Sequence, residues 1–144
     1  MILDTNILLY AVGGDHPLRP ACADLIGRIG RGEQRATTTV EAIQEFAHVR
    51  ARRRSRNDAI DLANSFIELL NPLIVPDADL LRRGLAWFGS EKVGAFDGVL
   101  VAAAFDTDQP IASADRAFSA IEGLTVLDPS VEGWLDEPGG TVVV

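Results

Sequence analysis

The sequence predicts an α/β domain, with a central, mainly parallel sheet of four to five short strands sandwiched between helices. Three observations carry that prediction. Short apolar or β-branched runs alternate with longer segments whose apolar residues recur at helical spacing, rather than following one another as hairpins. The 144 residues suit one domain large enough to bury a core. The composition, 47% hydrophobic and 24% charged, is that of an ordinary globular chain and not of a disordered or rod-like one.

Taken in order, residues 1–3 are an apolar run ending at Asp4, and Ile7, Leu8 and Leu9 follow after two small polar residues, as in a buried strand that turns into a helix. Leu18, Cys22, Leu25, Ile26 and Ile29 lie on one helical face, with Pro20 in the first turn and Gly30 and Gly32 at the end. Residues 36–39 read as a brief strand, followed by a helix carrying Val40, Ile43, Phe46 and Ala47 inward and ending in a basic run. A helix capped by Asn57 is expected to bury Ile60, Ala63, Ile67 and Leu70 before Asn71-Pro72 stops it. Residues 73–75 form the next strand. Pro76-Asp77 opens a helix with Leu80, Leu81, Leu85 and Phe88 inward, and a nearly all-apolar helix spans about 95–107. Residues 111–112 and 125–127 are short late strands. The single domain is expected to span residues 1–137, with 138–144 as a C-terminal tail.

Composition narrows the function. The lone Cys22 excludes an internal disulfide, a Cys-rich zinc site and a CxxC redox centre. Acidic or basic residues interrupt every apolar stretch, so no membrane helix is expected, and the opening Met1-Ile2-Leu3-Asp4 has no secretory character; a cytoplasmic location follows as the expectation. The formal net charge of -8 argues at first against nucleic acid, whose phosphates call for Lys and Arg.

Four acids change that balance. Ligands of open α/β sheets bind beyond the carboxyl ends of the strands. Asp4 ends the first strand, Glu45 lies in the helix after the second, Asp97 opens the apolar helix, and Asp115 follows the strand at 111–112. Carboxylates packed together raise one another's pKa, so their convergence is economical when a divalent cation offsets the charge. An all-oxygen set points to Mg²⁺ or Mn²⁺ rather than Zn²⁺, and to water-driven phosphodiester hydrolysis without a protein nucleophile. Glu41 lies four residues from Glu45 on the same helical face, so spacing leaves either open as the helix ligand. His16 and His48 read as surface residues.

Residues 1–7 (MILDTNI), 39–46 (TVEAIQEF), 95–103 (AFDGVLVAA) and 112–118 (ASADRAF) resemble, in order and spacing, the motifs of PIN domains, over roughly residues 1–128. In size the chain is most similar to the VapC-type toxins of bacterial toxin–antitoxin pairs. That resemblance implies a PIN-like three-layer α/β/α fold and a Mg²⁺-dependent endoribonuclease acting on RNA, forming a homodimer and neutralised by a cognate VapB-type antitoxin. It implies metal-ligand and catalytic roles for Asp4, Glu45, Asp97 and Asp115, favours Glu45 over Glu41, and gives Thr5, Asn6 and Ser113 supporting roles. PIN nucleases that act on DNA share these acids.

Arg50, Arg52, Arg53, Arg54 and Arg56 crowd five cations into seven residues after the Glu45 helix and are expected to contact RNA phosphates, with Arg82, Arg83, Lys92 and Arg116 as extensions. Two other classes fit less well. A receiver-like signalling domain needs a second acid beside Asp4 and a late-sheet Lys, and a haloacid-dehalogenase-type phosphatase needs an Asp where this chain has Asn6. A binding module without activity would have no use for all four acids.

Overall fold

The structure, a computed structural model, describes residues 1–136. The expected tail at 138–144, with Glu137, lies outside the described residues. The elements follow as β1 (Ile2–Leu3), α1 (Thr5–Val12), α2 (Arg19–Gly30), α3 (Val40–Arg53), α4 (Arg56–Leu69), α5 (Ala78–Gly89), α6 (Ala95–Thr107), β2 (Ile111–Ala112), a 3₁₀ turn (Arg116–Ala120) and β3 (Val126–Leu127).

The three strands run parallel in the order β1-β2-β3, with Ile2 opposite Ile111 and Ile111 opposite Val126. The expected four to five strands are thus three, because the other two segments shrink to single parallel bridges, Ile2 with Thr37 and Thr39 with Ile74. The first is cut short by Thr39, whose side chain accepts from the Ala42 amide at 3.1 Å and starts α3. The second lies between Pro72 and Pro76, which have no amide to donate to a ladder.

Successive strand residues point to opposite faces and so divide the core. Leu3 and Ala112 pack with buried residues of α1, α2, α3 and α4, whereas Ile2 and Ile111 pack with Leu80 of α5, with α6 and with Phe118. The result is the expected three-layer sandwich. Residues 98–104 of α6 are all buried, as its apolar sequence requires. Trp134 packs back against the α1–α4 side.

Two helices present other faces than expected. The cap of α4 is Ser55, not Asn57, its hydroxyl accepting from the Asp58 amide at 3.1 Å. The inward residues of α4 are Ala59, Ala63, Phe66 and Leu70, while Ile60 and Ile67 are exposed. Phe66 meets Phe46 of α3 edge to face at 5.0 Å, and seating the larger ring turns its neighbour Ile67, about 100° round the helix, outward.

In α5, Leu80 is buried but Leu81, Leu85 and Phe88 are exposed. Gly84 decides this face. A Cβ on Gly98 of α6 would lie 2.2 Å from the Gly84 carbonyl oxygen, and one on Gly84 would lie 2.7 Å from Val99 Cγ2. The two backbones therefore touch, and the bare face of α5 must be the inward one.

Candidate active site

The structure brings the four acids to one end of the sheet. Asp4 leaves β1 as the cap of α1, is 7% exposed, and has both oxygens engaged. Its Oδ1 accepts from the Thr5 amide at 2.7 Å; its Oδ2 accepts from Ser113 Oγ at 2.6 Å and Asn6 Nδ2 at 3.0 Å. Ser113 Oγ in turn accepts from the Asp115 amide at 2.9 Å and Asn6 Nδ2 at 3.2 Å, and Asn6 Oδ1 accepts from the Ala114 amide at 3.3 Å. One hydroxyl and one amide thus tie the ends of β1 and β2 together. Thr5 Oγ1 donates to Glu45 Oε2 at 3.0 Å, fixing the α3 acid relative to α1. Asp115 caps the 3₁₀ turn through the Ala117 amide at 2.9 Å.

Asp97, in the first turn of α6, makes no side-chain hydrogen bond among the described residues, and none of the four acids belongs to any of the ion pairs found there. Burial chiefly, with added repulsion from Asp4, Asp115 and Glu45, pushes Asp97 from its usual 3.8 up to about 7. Burial also raises Asp4 from 3.8 to about 6, aided by Glu45 and Asp115 and opposed by its bonds to Ser113 and Thr5. Carboxyl groups with raised folded pKa values favour the native state below their unfolded pKa, and that stability is lost as pH climbs through the folded values. The metal-free protein is therefore expected to melt at lower temperature as pH rises from about 4 through about 7.

Asp4, Glu45 and Asp97 line a narrow cleft with about 20 Å³ of free space, room for one water-sized occupant, together with Phe96 and Glu41. Glu41 deserves more than the helix-dipole role its position suggests, since its Oε2 is buried without a hydrogen-bond partner. The signal available in the sequence was its spacing of four from Glu45. On the far side of Asp97, a wider open cleft continues past Asp115, Lys92 and Phe88.

The donor set suits a hard cation: oxygen throughout, negatively charged, and in no ion pair with a protein cation among the described residues. Among the described residues no group of three or more acids is gathered tightly enough to hold one ion jointly. Mg²⁺ uses one or two direct carboxylates and keeps several waters, so the spread arrangement fits it better than it fits Ca²⁺ or Zn²⁺.

The Arg run divides. Arg50 is turned inward, paired through Nε and Nη2 with Asp58 and donating from Nη1 to the Val12 carbonyl at 3.0 Å. It binds α1, α3 and α4 together, with three of its five N–H groups committed inside the protein. Arg83 is similarly engaged by Asp79 and Asp106. Arg52, Arg53, Arg54 and Arg56 are exposed. They lie further from the acids than the sequence suggested: Arg53 follows Glu45 by eight helical residues, about 12 Å along α3 at 1.5 Å per residue. His48 is exposed, and His16 stacks on Tyr10 with centroids 4.3 Å apart, away from the acids.

A buried aspartate at the end of the first strand, followed by three further acids gathered at the carboxyl end of a parallel sheet, defines a PIN-type site, and the PIN domain profile matches residues 1–124. The chain belongs to the PIN domain family. Within it, the chain is 39% identical over 136 residues to Ribonuclease VapC7 of Mycobacterium tuberculosis, covering 92% of this chain and 94% of that one, which places it among the VapC proteins. Ribonuclease VapC23 of the same organism is 36% identical over 75 residues, covering 51% of this chain and 57% of its own. Two solved structures share the fold. The sarcin-ricin loop cleaving toxin VapC20 of M. tuberculosis superposes with a TM-score of 0.67 at 14% identity, covering 83% of this chain and 92% of its own. A toxin–antitoxin complex from Klebsiella pneumoniae gives a TM-score of 0.65 at 19% identity, covering 89% and 96%.

Proposed function

We propose that the chain is a divalent-metal-dependent endoribonuclease that hydrolyses phosphodiester bonds in RNA, and that it is the toxin of a toxin–antitoxin pair. The observation that carries the reading is the convergence of Asp4, Glu45, Asp97 and Asp115, none of them in an ion pair among the described residues. The 39% identity to a protein named a ribonuclease supports RNA as the substrate.

Asp4, Asp97 and Glu45 would hold one or two Mg²⁺ or Mn²⁺ ions, each ion taking one or two of these carboxylates directly and reaching the others, with Asp115, through water. When bound, such an ion supplies positive charge to the scissile phosphate and lowers the pKa of water. The protein's own contribution is positioning. Thr5, Asn6 and Ser113 hold the Asp4 carboxylate in one orientation, Thr5 also holds Glu45, and the buried α6 keeps Asp97 at a fixed height above the sheet. Lys92, beside Asp97 and Asp115, offers a cation to the phosphate backbone in the wider cleft.

The partners in this reading are a cognate VapB-type antitoxin and a second copy of the chain. Exposed Leu81, Leu85 and Phe88 of α5, with Phe96, offer apolar surface to such partners, and the solved toxin–antitoxin complex of the same fold supports the antitoxin.

The purified protein is expected to cut single-stranded RNA in millimolar Mg²⁺ or Mn²⁺, to stop when EDTA is added, and to resume when the ion is restored. Cleavage of DNA oligonucleotides at an equal or higher rate would move the reading to a DNA-directed PIN nuclease. Undiminished RNA cleavage in EDTA would overturn the metal dependence.

A further inference from the structure

The end of α1 and the end of α3 enclose a second cleft that the acids do not share, with a free volume of about 210 Å³ and a lining of Leu9, Gly13, Gly14, Arg50, Arg53 and Arg54. Its chemistry is that of an anion site. Arg50, by pairing with Asp58 and bonding the Val12 carbonyl, satisfies an acid and a helix-end acceptor that would otherwise repel an anion. Neither Arg53 nor Arg54 forms an ion pair or a side-chain hydrogen bond among the described residues, although Arg54 adds to the pull of Arg50 that holds Asp58 below its usual range. The opposite wall is bare. A Cβ at Gly14 would meet nothing within 4 Å, whereas one at Gly13 would lie 2.7 Å from the Leu9 carbonyl oxygen, so the chain turns away there on a residue with no side chain.

We propose that this cleft receives one phosphate of the substrate strand at a distance from the bond that is cut. Resting on the nuclease reading, it deepens that reading by naming where and how the backbone is held. Asp4 stands at the beginning of α1 and Gly13 just past its end, nine residues on, and Arg53 follows Glu45 by eight on α3, so the two helices measure about 12–14 Å between the acids and the cleft. At about 3.4 Å per nucleotide in a stacked strand, that is about four steps, which a strand of about five nucleotides spans. A substrate longer than this spans both sites, and a shorter one reaches the acids only. Arg52, on the same helix but outside the cleft lining, serves as the internal comparison.

The experiment uses the full chain carrying Asp4→Asn, so that RNA is bound without being cut, and fluorescein-labelled single-stranded RNAs of 4 and 16 nucleotides followed by anisotropy. Arg53→Gln with Arg54→Gln is expected to weaken the 16-mer by about tenfold, to change the 4-mer less than twofold, and to flatten the salt slope of the 16-mer by about 1. Arg52→Gln is expected to change neither RNA by more than about twofold. With Asp4 restored, the paired substitution raises KM for the long substrate and leaves kcat unchanged. Equal losses on both lengths, an equal loss from Arg52→Gln, or no loss on the 16-mer would each overturn the cleft as a phosphate site. No loss on RNA together with lost binding of an antitoxin peptide would reassign it to a protein partner. Absence of cleavage by the unaltered chain would count against the nuclease reading alone, since the binding contrast is read without it.

Discussion

Asp4→Asn is expected to lower RNA cleavage by at least about a thousandfold, the loss of some 4 kcal/mol of charge stabilisation at the reacting phosphate, while the chain stays folded. The substitution removes the most deeply buried charge of the site and changes little else. An Asn oxygen can still accept from the Thr5 amide, but its nitrogen would face the Ser113 hydroxyl, whose two lone pairs already accept from the Asp115 amide and Asn6 Nδ2, so that hydroxyl must find another acceptor. Asn6 Nδ2 then faces a donor where it had an acceptor, a cost of about 1 kcal/mol set against relief of a carboxylate buried beside Glu45 and Asp115. Melting within a few degrees of the parent, with cleavage gone, is the predicted pair of readouts. Retained cleavage by the folded variant would remove Asp4 from the chemistry.

Gly98→Ala is expected to be the most damaging single methyl group in the chain. The new Cβ would lie 2.2 Å from the Gly84 carbonyl oxygen, a backbone atom that cannot swing aside, so α5 and α6 must separate. Overpacking of this kind costs about 1–3 kcal/mol, which for a domain of this length lowers Tm by roughly 3–10 °C. Asp97 precedes Gly98 directly, so activity should fall further than stability alone explains. Gly89→Ala at the end of α5, where a Cβ meets nothing within 4 Å, is the control and should be neutral or slightly stabilising. Equal melting of the two variants would mean that the α5–α6 contact is not as tight as drawn.

What the sequence disclosed, and what it hid, follows from the kind of signal each residue gives. Asp4 was legible because an acid at the end of an apolar run can only stand at a strand's carboxyl end, and α6 because seven consecutive small or apolar residues have nowhere to go but inside. Ser113 and Asn6 were named as supports through the family resemblance alone; their hydrogen bonds to Asp4 and to each other needed the register of β1 on β2 to be seen. The inward face of α5 was not legible. Its leucines outline a plausible stripe, but the helix is oriented by Gly84, which contributes an absence of bulk rather than hydrophobicity. Arg50 was hidden among its neighbours for a similar reason: nothing local distinguishes it from Arg52 or Arg53, and only the approach of Asp58 and the end of α1 makes it structural. Glu41 could not be separated from Glu45 by spacing, which puts both on one helical face, and its buried, unpartnered Oε2 is visible only in the structure.

The acidic net charge of -8 is also clearer in three dimensions. Part of it is concentrated at Asp4, Glu45, Asp97 and Asp115, where burial first and the neighbouring carboxylates second raise the proton affinity of Asp4 and Asp97, a cost to folding that a bound cation would reverse. Among the exposed cations, Arg53 and Arg54 stand at the far end of α3, with Arg53 about 12 Å along that helix from Glu45.

The measurement that tests this account most directly is the melting temperature of the metal-free chain as a function of pH, repeated with Mg²⁺ in excess. Without the ion, Tm should decline as pH is raised through about 6 and about 7, where Asp4 and Asp97 lose their protons, and Mg²⁺ should restore it at pH 8 but not at pH 4. In Asp4→Asn that restoration should be largely lost. A flat pH profile with no response to Mg²⁺ at any pH would contradict the claim that these four acids form a cation-dependent site.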